Sequence, residues 1–349
     1  MRLSIIISGQ ILVTALAVLG LTACEGEQPS KVENSSAQSS PVKVITTIYP
    51  LTYFTERIGG DQVRVIQMIE PGVESHDFEP TPSDVRLIGD ADVFVYNHEA
   101  FESWALNLAK SANNSGLQVV QAAEIQMILE EGQIEHDGHE LEEDHANEEH
   151  ESGHDQHIDD EHEEDVDEGH DHKDGLDPHV WLNLEEALGM VNRILEGLTS
   201  ASPESADSFT RNAELLIGEL QQLDSELSAQ LDHCERSTIV VSHLAFGHMA
   251  ERYGFEQLGL AGLSPEFESG PAQIASVIDR INELGIKHIM QEPIVSDRLA
   301  ETVSLETGAD LVQLHPIEVR TPQEVEENLD FIDIMRRNGE ALRTALLCD

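Results

Sequence analysis

The apolar pattern alternates twice between short hydrophobic stretches and amphipathic helical ones, on either side of one long periodic run. Before the run, it predicts strands at 44–48, 63–69, 93–96 and 117–120, with helices at 51–58, 82–88 and 101–112 between them. A further helix is predicted at 184–198. The run opens at Ser202-Pro203 and carries Leu215, Leu216, Leu220, Leu223, Leu227 and Leu231 on a helical spacing. Proline suits the first helical turn. A helix of nearly thirty residues is about 40 Å long at 1.5 Å per residue, too long for a simple crossover. After it, strands are predicted at 239–241, 255–260, 286–290 and 311–314. The helices expected among and after them are 245–253, 271–284, 297–307 and a single closing one from 322 to about 346. Strands alternating with helices make an α/β fold with mainly parallel sheets. The organisation expected is a β/α lobe over 42–200, a rigid linking helix over 201–232 and a second β/α lobe over 233–349.

The first forty residues do not belong to that pattern. Arg2 precedes an apolar stretch too short for a good membrane span, which reads as the core of a secretory signal over 1–23. Leu21-Thr22-Ala23-Cys24 resembles a bacterial lipobox, so Cys24 is the expected lipidation site. A plain signal peptide with an incidental cysteine is the alternative. Residues 24–41, rich in Ser, Glu and Gln, read as a flexible tether. An exported compartment permits a disulfide between the two remaining cysteines, Cys234 and Cys348, and two unpaired buried thiols are the other possibility.

Charge narrows the partners. Lys and Arg number 19 against 68 Asp and Glu, for a net charge of −49. Nucleic acid is excluded, because phosphate binding needs a basic face. A protein that handles cations fits the balance. Part of the excess lies in residues 134–174, which hold twenty acidic residues, one lysine and nine of the seventeen histidines. These are His136, His139, His145, His150, His154, His157, His162, His170 and His172. No apolar face recurs there, so the segment is expected to be disordered. Neutral imidazoles among carboxylates suit zinc, and spacings such as His136-x2-His139 let two rings reach one ion. The segment is expected to hold several ions weakly; a solvated acidic loop is the plain alternative.

Eight histidines lie elsewhere. His76, His243 and His315 each follow a predicted strand, and His179 lies in the loop that ends the acidic segment. In open α/β sheets, ligands bind beyond the carboxyl ends of strands. Taken singly, each would read as a hydrogen-bonded loop residue; their common placement points to a zinc site built from distant parts of the chain. His98 is a weaker candidate. His233 and His248 read as helix-surface residues, and His288 as structural.

At this point the motifs match a family. Ile48-Tyr49-Pro50-Leu51, the stretch from Pro71 through His76 to Asp84, and Tyr96-Asn97 resemble the metal-binding subunits of bacterial ABC importers for zinc and manganese. So do Phe101-Glu102-Ser103-Trp104, Asp177-Pro178-His179-Val180-Trp181-Leu182, Ser242-His243-Leu244-Ala245-Phe246-Gly247 and Gln291-Glu292-Pro293. The resemblance implies two lobes with the metal between them and His76, His179 and His243 as ligands. Manganese binders usually have Glu at the position of His243, so the zinc branch is the nearer match, and three imidazoles suit zinc better. Where the family usually offers Asp before Pro, this chain has His315-Pro316. His315 is the expected fourth ligand, with water as the alternative. Four neutral ligands would leave the ion's charge uncompensated, so Glu79 or Glu292 is expected to orient imidazoles and offset it. Zinc-branch relatives often pair a C-terminal cysteine with one in the strand near 286–290; this chain departs from that, and the candidate partner of Cys348 is Cys234, before the preceding strand.

The resemblance thus implies a monomeric, lipid-anchored protein that captures Zn²⁺ and delivers it to an ABC permease and its ATPase subunit, without being an enzyme. A manganese importer subunit and a surface metal buffer or adhesin are the alternatives. A zinc hydrolase is disfavoured, since no His-Glu-x-x-His helix or nucleophile elbow is present.

Overall fold

A computed structural model describes residues 40–125, 176–265, 269–295 and 298–349. The expectations for the signal sequence, for Cys24, for the tether as far as residue 39 and for the nine histidines of 134–174 lie outside the described residues.

The first half runs β1 (Val42–Thr46), α1 (Tyr49–Gly59), β2 (Val63–Gln67), α2 (Pro82–Gly89), β3 (Val93–Tyr96), α3 (Ala105–Ser111), β4 (Gln118–Gln121) and α4 (Leu184–Ala201). Next comes α5 (Ala206–Gln230), with 25 residues. The second half runs β5 (Thr238–Val241), α6 (Gly247–Tyr253), β6 (Glu256–Gly259), α7 (Pro271–Leu284), β7 (His288–Gln291), α8 (Arg298–Thr307), β8 (Asp310–Gln313), α9 (Pro322–Glu326) and α10 (Phe331–Leu346). The two sheets repeat one topology, β2-β1-β3-β4 and β6-β5-β7-β8, with every pair parallel. Central strands covered by helices on both faces need apolar side chains on both. Val44, Ile45, Val93, Phe94 and Val95 are accordingly fully buried.

Helix α5 spans about 37 Å. It buries Phe209, Ala213, Leu216, Leu220, Leu223 and Leu227 against α1, α4 and α10. One continuous core therefore draws on both halves, from Val44 and Trp181 through Leu220 to Val241 and Phe331. Before α5, Pro203 opens a separate short 3-10 turn over Pro203–Ser205, so the linking helix begins later than its sequence pattern suggested.

The single closing helix expected after residue 322 is two helices. Thr321 and Glu324 form a capping box at the start of α9, and Asp330 and Asp333 form another at the start of α10. Two reciprocal caps so close together favour separate helix starts over one continuous helix. Asn328, at a φ of 55°, turns the chain between them. A disulfide joins Cys234 and Cys348, 114 residues apart, and ties the approach to β5 to the end of α10.

The segment after β8 straps the second half to the first. Tyr49 N donates to Glu318 O at 2.7 Å, Trp181 Nε1 to Pro316 O at 2.7 Å and Gly72 N to Arg320 O at 2.8 Å.

Candidate metal site

Strand order reverses between β1 and β3 in one sheet and between β5 and β7 in the other, and the crevices at such points collect ligands. His243 lies two residues beyond β5 and Glu292 one residue beyond β7. His76 stands in the loop after β2, and His179 just before the 3-10 turn Val180–Leu182. With Glu318, the three histidines each bring one ligand atom to within 4.8 Å of the others.

Glu318 Oε1 is 3.4 Å from His76 Nε2, 3.2 Å from His179 Nε2 and 3.7 Å from His243 Nε2. Four ligand atoms placed tetrahedrally at zinc distances stand roughly 3.3–3.5 Å from one another. The observed spacings bracket that value. All four side chains are at most 7% exposed.

Two imidazoles are oriented by the same device. Asp177 Oδ1 accepts both the backbone N–H of His179 at 2.9 Å and its Nδ1–H at 2.7 Å. Glu292 Oε1 does the same for His243, at 3.2 Å and 2.6 Å. With Nδ1–H committed to a carboxylate, Nε2 is the atom aimed at the centre, where a metal displaces any proton it carries. His76 Nε2 and His243 Nε2 are buried without a hydrogen-bond partner, and buried polar atoms in that state ordinarily serve a ligand or another function. The His76 ring stands edge-on to Phe101, with centroids 4.7 Å apart. The Ser75 hydroxyl donates to Glu318 Oε2.

Opposite charges dominate the electrostatics. Burial disfavours a charged His179, but Asp177 and Glu318 outweigh it and push the imidazole up to about 10. Burial likewise opposes ionisation of Glu318 and Asp177. The facing imidazoles nevertheless hold Glu318 well below the usual carboxylate range, and His179 lowers Asp177. Glu318 and Asp177 thus stay ionised despite their burial.

His315 does not join the cluster. Its Nδ1 accepts from Ile317 N at 2.8 Å, and its Nε2 stands 3.2 Å from Glu324 Oε2 in the capping box of α9. Its backbone exchanges two hydrogen bonds with the Asn338 side chain. The expected four-histidine cluster is therefore not formed: the structure gathers His76, His179 and His243 with Glu318 instead. The chain reverses at Ile317, whose φ is 62°, and this returns Glu318 to the crevice. The one available signal was the charge argument, which called for a carboxylate near the ion. Glu79 is exposed, and Asp177 occupies the orienting position beside His179. His98 engages Ala100 N through its Nδ1 and stays outside the cluster. His248, read as a helix-surface residue, is 1% exposed, because its ring turns inward to the backbone carbonyl of Asp177.

The chain matches the family described as "ZnuA: Zinc-uptake complex component A periplasmic" over residues 44–345. It is 35% identical over 302 residues to the zinc-binding protein AdcA of Streptococcus pyogenes, an alignment covering 86% of this chain and 55% of AdcA. The chain thus spans a little over half the length of that relative. It is 32% identical over 340 residues, 97% of each chain, to the high-affinity zinc uptake system protein ZnuA of Bacillus subtilis. The crystal structure of the Zn(II)-bound ZnuA-like domain of Streptococcus pneumoniae AdcA superposes with a TM-score of 0.68 at 27% identity, covering 88% of this chain and 99% of that one.

Proposed function

Because this chain belongs to the family of periplasmic zinc-uptake components described as ZnuA, we propose that it captures one Zn²⁺ outside the cytoplasm and hands it to an ABC permease powered by an ATPase subunit. The observation that carries this reading is the convergence of three imidazole Nε2 atoms and one carboxylate oxygen, at tetrahedral spacing, in a buried crevice. His76, His179, His243 and Glu318 are the ligands. Three imidazoles favour zinc over manganese, and Glu318 supplies the negative charge that an all-histidine set lacks.

The ion is cargo and the protein is not an enzyme. A catalytic zinc keeps one position open for water, whereas Glu318 fills the fourth position here. Lipidation of Cys24 would hold the monomer at the membrane, and residues 24–41 would let it reach the permease. The histidines of 134–174 would gather further zinc weakly around the tight site.

Competition against a graded series of chelators tests the reading. One tight zinc per chain is expected, lost in His243→Ala with the circular dichroism spectrum retained, and manganese should compete poorly. Undiminished zinc affinity in His243→Ala would overturn it. Deleting the gene should raise the zinc a strain needs for growth, and unchanged growth under chelation would count against delivery.

A further inference from the structure

A second group of metal-ligating side chains lies beside the first and has no part in it. Glu186 sits in the first turn of α4, and His248 and Glu251 are one helical turn apart on α6. One ligand atom of each falls within 4.8 Å of the other two. His248 is 1% exposed, and its Nε2 is 2.9 Å from the backbone carbonyl of Asp177. A carbonyl only accepts, so Nε2 carries a hydrogen and Nδ1 is the ring atom left to meet a metal. Metal-binding histidines are commonly fixed in this way.

Nδ1 faces the carboxylates. It stands 2.8 Å from Glu186 Oε2, yet neither atom has a partner in hydrogen-bonding geometry. Two ligands of one ion at about 2.1 Å each, at bond angles of roughly 85–110°, lie about 2.8–3.4 Å apart. The observed pair fits that bent arrangement. Among the described residues, no lysine or arginine pairs with Glu186 or Glu251. The neighbouring Arg252 is committed to Asp224 at 2.5 Å. Once the imidazole gives up any Nδ1 proton to bind, the two carboxylates leave a charge of −2, which a divalent cation cancels. Glu251 is exposed, so an ion can enter from solvent and complete its shell with water.

We propose that Glu186, His248 and Glu251 form a second divalent transition-metal site, weaker than the crevice site and shared between α4 and α6. Its oxygen-rich, solvent-open set accepts Zn²⁺ with lower affinity than three buried imidazoles do. Asp177 connects the two sites: its carboxylate holds His179 and its carbonyl holds His248. An ion here ties the helix after β4 to the helix after β5.

The test is nuclear magnetic resonance of the full chain, labelled with ¹⁵N at histidine and titrated with Zn²⁺. The first equivalent should move the resonances of His76, His179 and His243, which report the crevice separately. Further zinc should move Nδ1 of His248 while its Nε2 stays hydrogen-bonded. Glu251→Gln, at an exposed position, should weaken that second response at least tenfold and leave the first unchanged. His248→Gln should remove one weak equivalent from the zinc count. A His248 Nδ1 that stays unmoved while the histidines of 134–174 respond would overturn the proposal. So would a Glu251→Gln titration identical to that of the parent chain.

Discussion

Glu318 Oε1 stands 3.2 Å from His179 Nε2, although the two residues are 139 positions apart. The contact exists because Ile317 reverses the chain and Tyr49 N, at the start of α1, holds the carbonyl of Glu318. Glu318→Gln keeps the shape and removes the charge. Zinc affinity should fall at least tenfold, about 1.4 kcal/mol. His315→Ala should leave zinc affinity within about threefold, because its ring serves Ile317 N and the α9 cap. It should lower folding stability by about 1–3 kcal/mol, through the partners it leaves unsatisfied. Chelator competition and urea denaturation on the two variants separate the roles. A larger zinc defect in His315→Ala than in Glu318→Gln would reverse the assignment.

Gly247 is the close neighbour of the group that orients His179. A methyl group placed on it would lie 2.5 Å from Asp177 Oδ2. Gly247→Ala must therefore displace the Asp177 carboxylate or shift α6. Overpacking of this kind costs about 1–3 kcal/mol of stability. Zinc affinity should fall together with stability, since the tilted imidazole no longer aims Nε2 at the centre. An unaltered zinc isotherm for Gly247→Ala would mean that Asp177 is dispensable to His179.

The architecture was legible because its causes are local. Central strands such as β1 and β3 are apolar on both faces, and α5 repeats leucine on one face, so periodicity alone located them. The rule that ligands gather beyond strand ends directed attention to the loops of His76 and His243. It could not rank His315 against Glu318, three residues apart, because the deciding feature is a positive φ at an isoleucine, which residue type disfavours. The inward turn of His248 depends on a carbonyl 71 positions away. The break between α9 and α10 was visible in principle, as Thr321 with Glu324 and Asp330 with Asp333, but the apolar pattern continues across it.

The Cys234–Cys348 bridge closes a loop of 114 residues. In the chain-entropy model, a loop of that length contributes up to about 4–5 kcal/mol by restricting the unfolded state. Reduction, or Cys348→Ser, should lower Tm and shift the urea midpoint down without changing zinc affinity more than about twofold, because β5 separates the bridge from His243. Equal midpoints for the oxidised and reduced protein would show that α10 is held by packing alone.

Glu102 provides a pH dependence that does not involve the proposed metal ligands. It is 1% exposed, and its Oε2 accepts the backbone N–H of Asn97 at 2.6 Å. Burial pushes its carboxyl from 4.5 up to about 7, with only partial relief from nearby donors such as the Asn97 N–H. The folded chain therefore holds a proton that the unfolded chain has released between about pH 4.5 and pH 7. The favourable contribution of protonated Glu102 is complete below the lower value and is lost as pH rises through the upper one, a change on the order of 3 kcal/mol. Glu102→Gln retains a carbonyl to accept from Asn97 and cannot ionise. Urea unfolding across that window should show the variant gaining on the parent chain as pH rises, by up to that amount. Parallel stability curves for the two proteins would mean that water reaches Glu102 and relieves its burial.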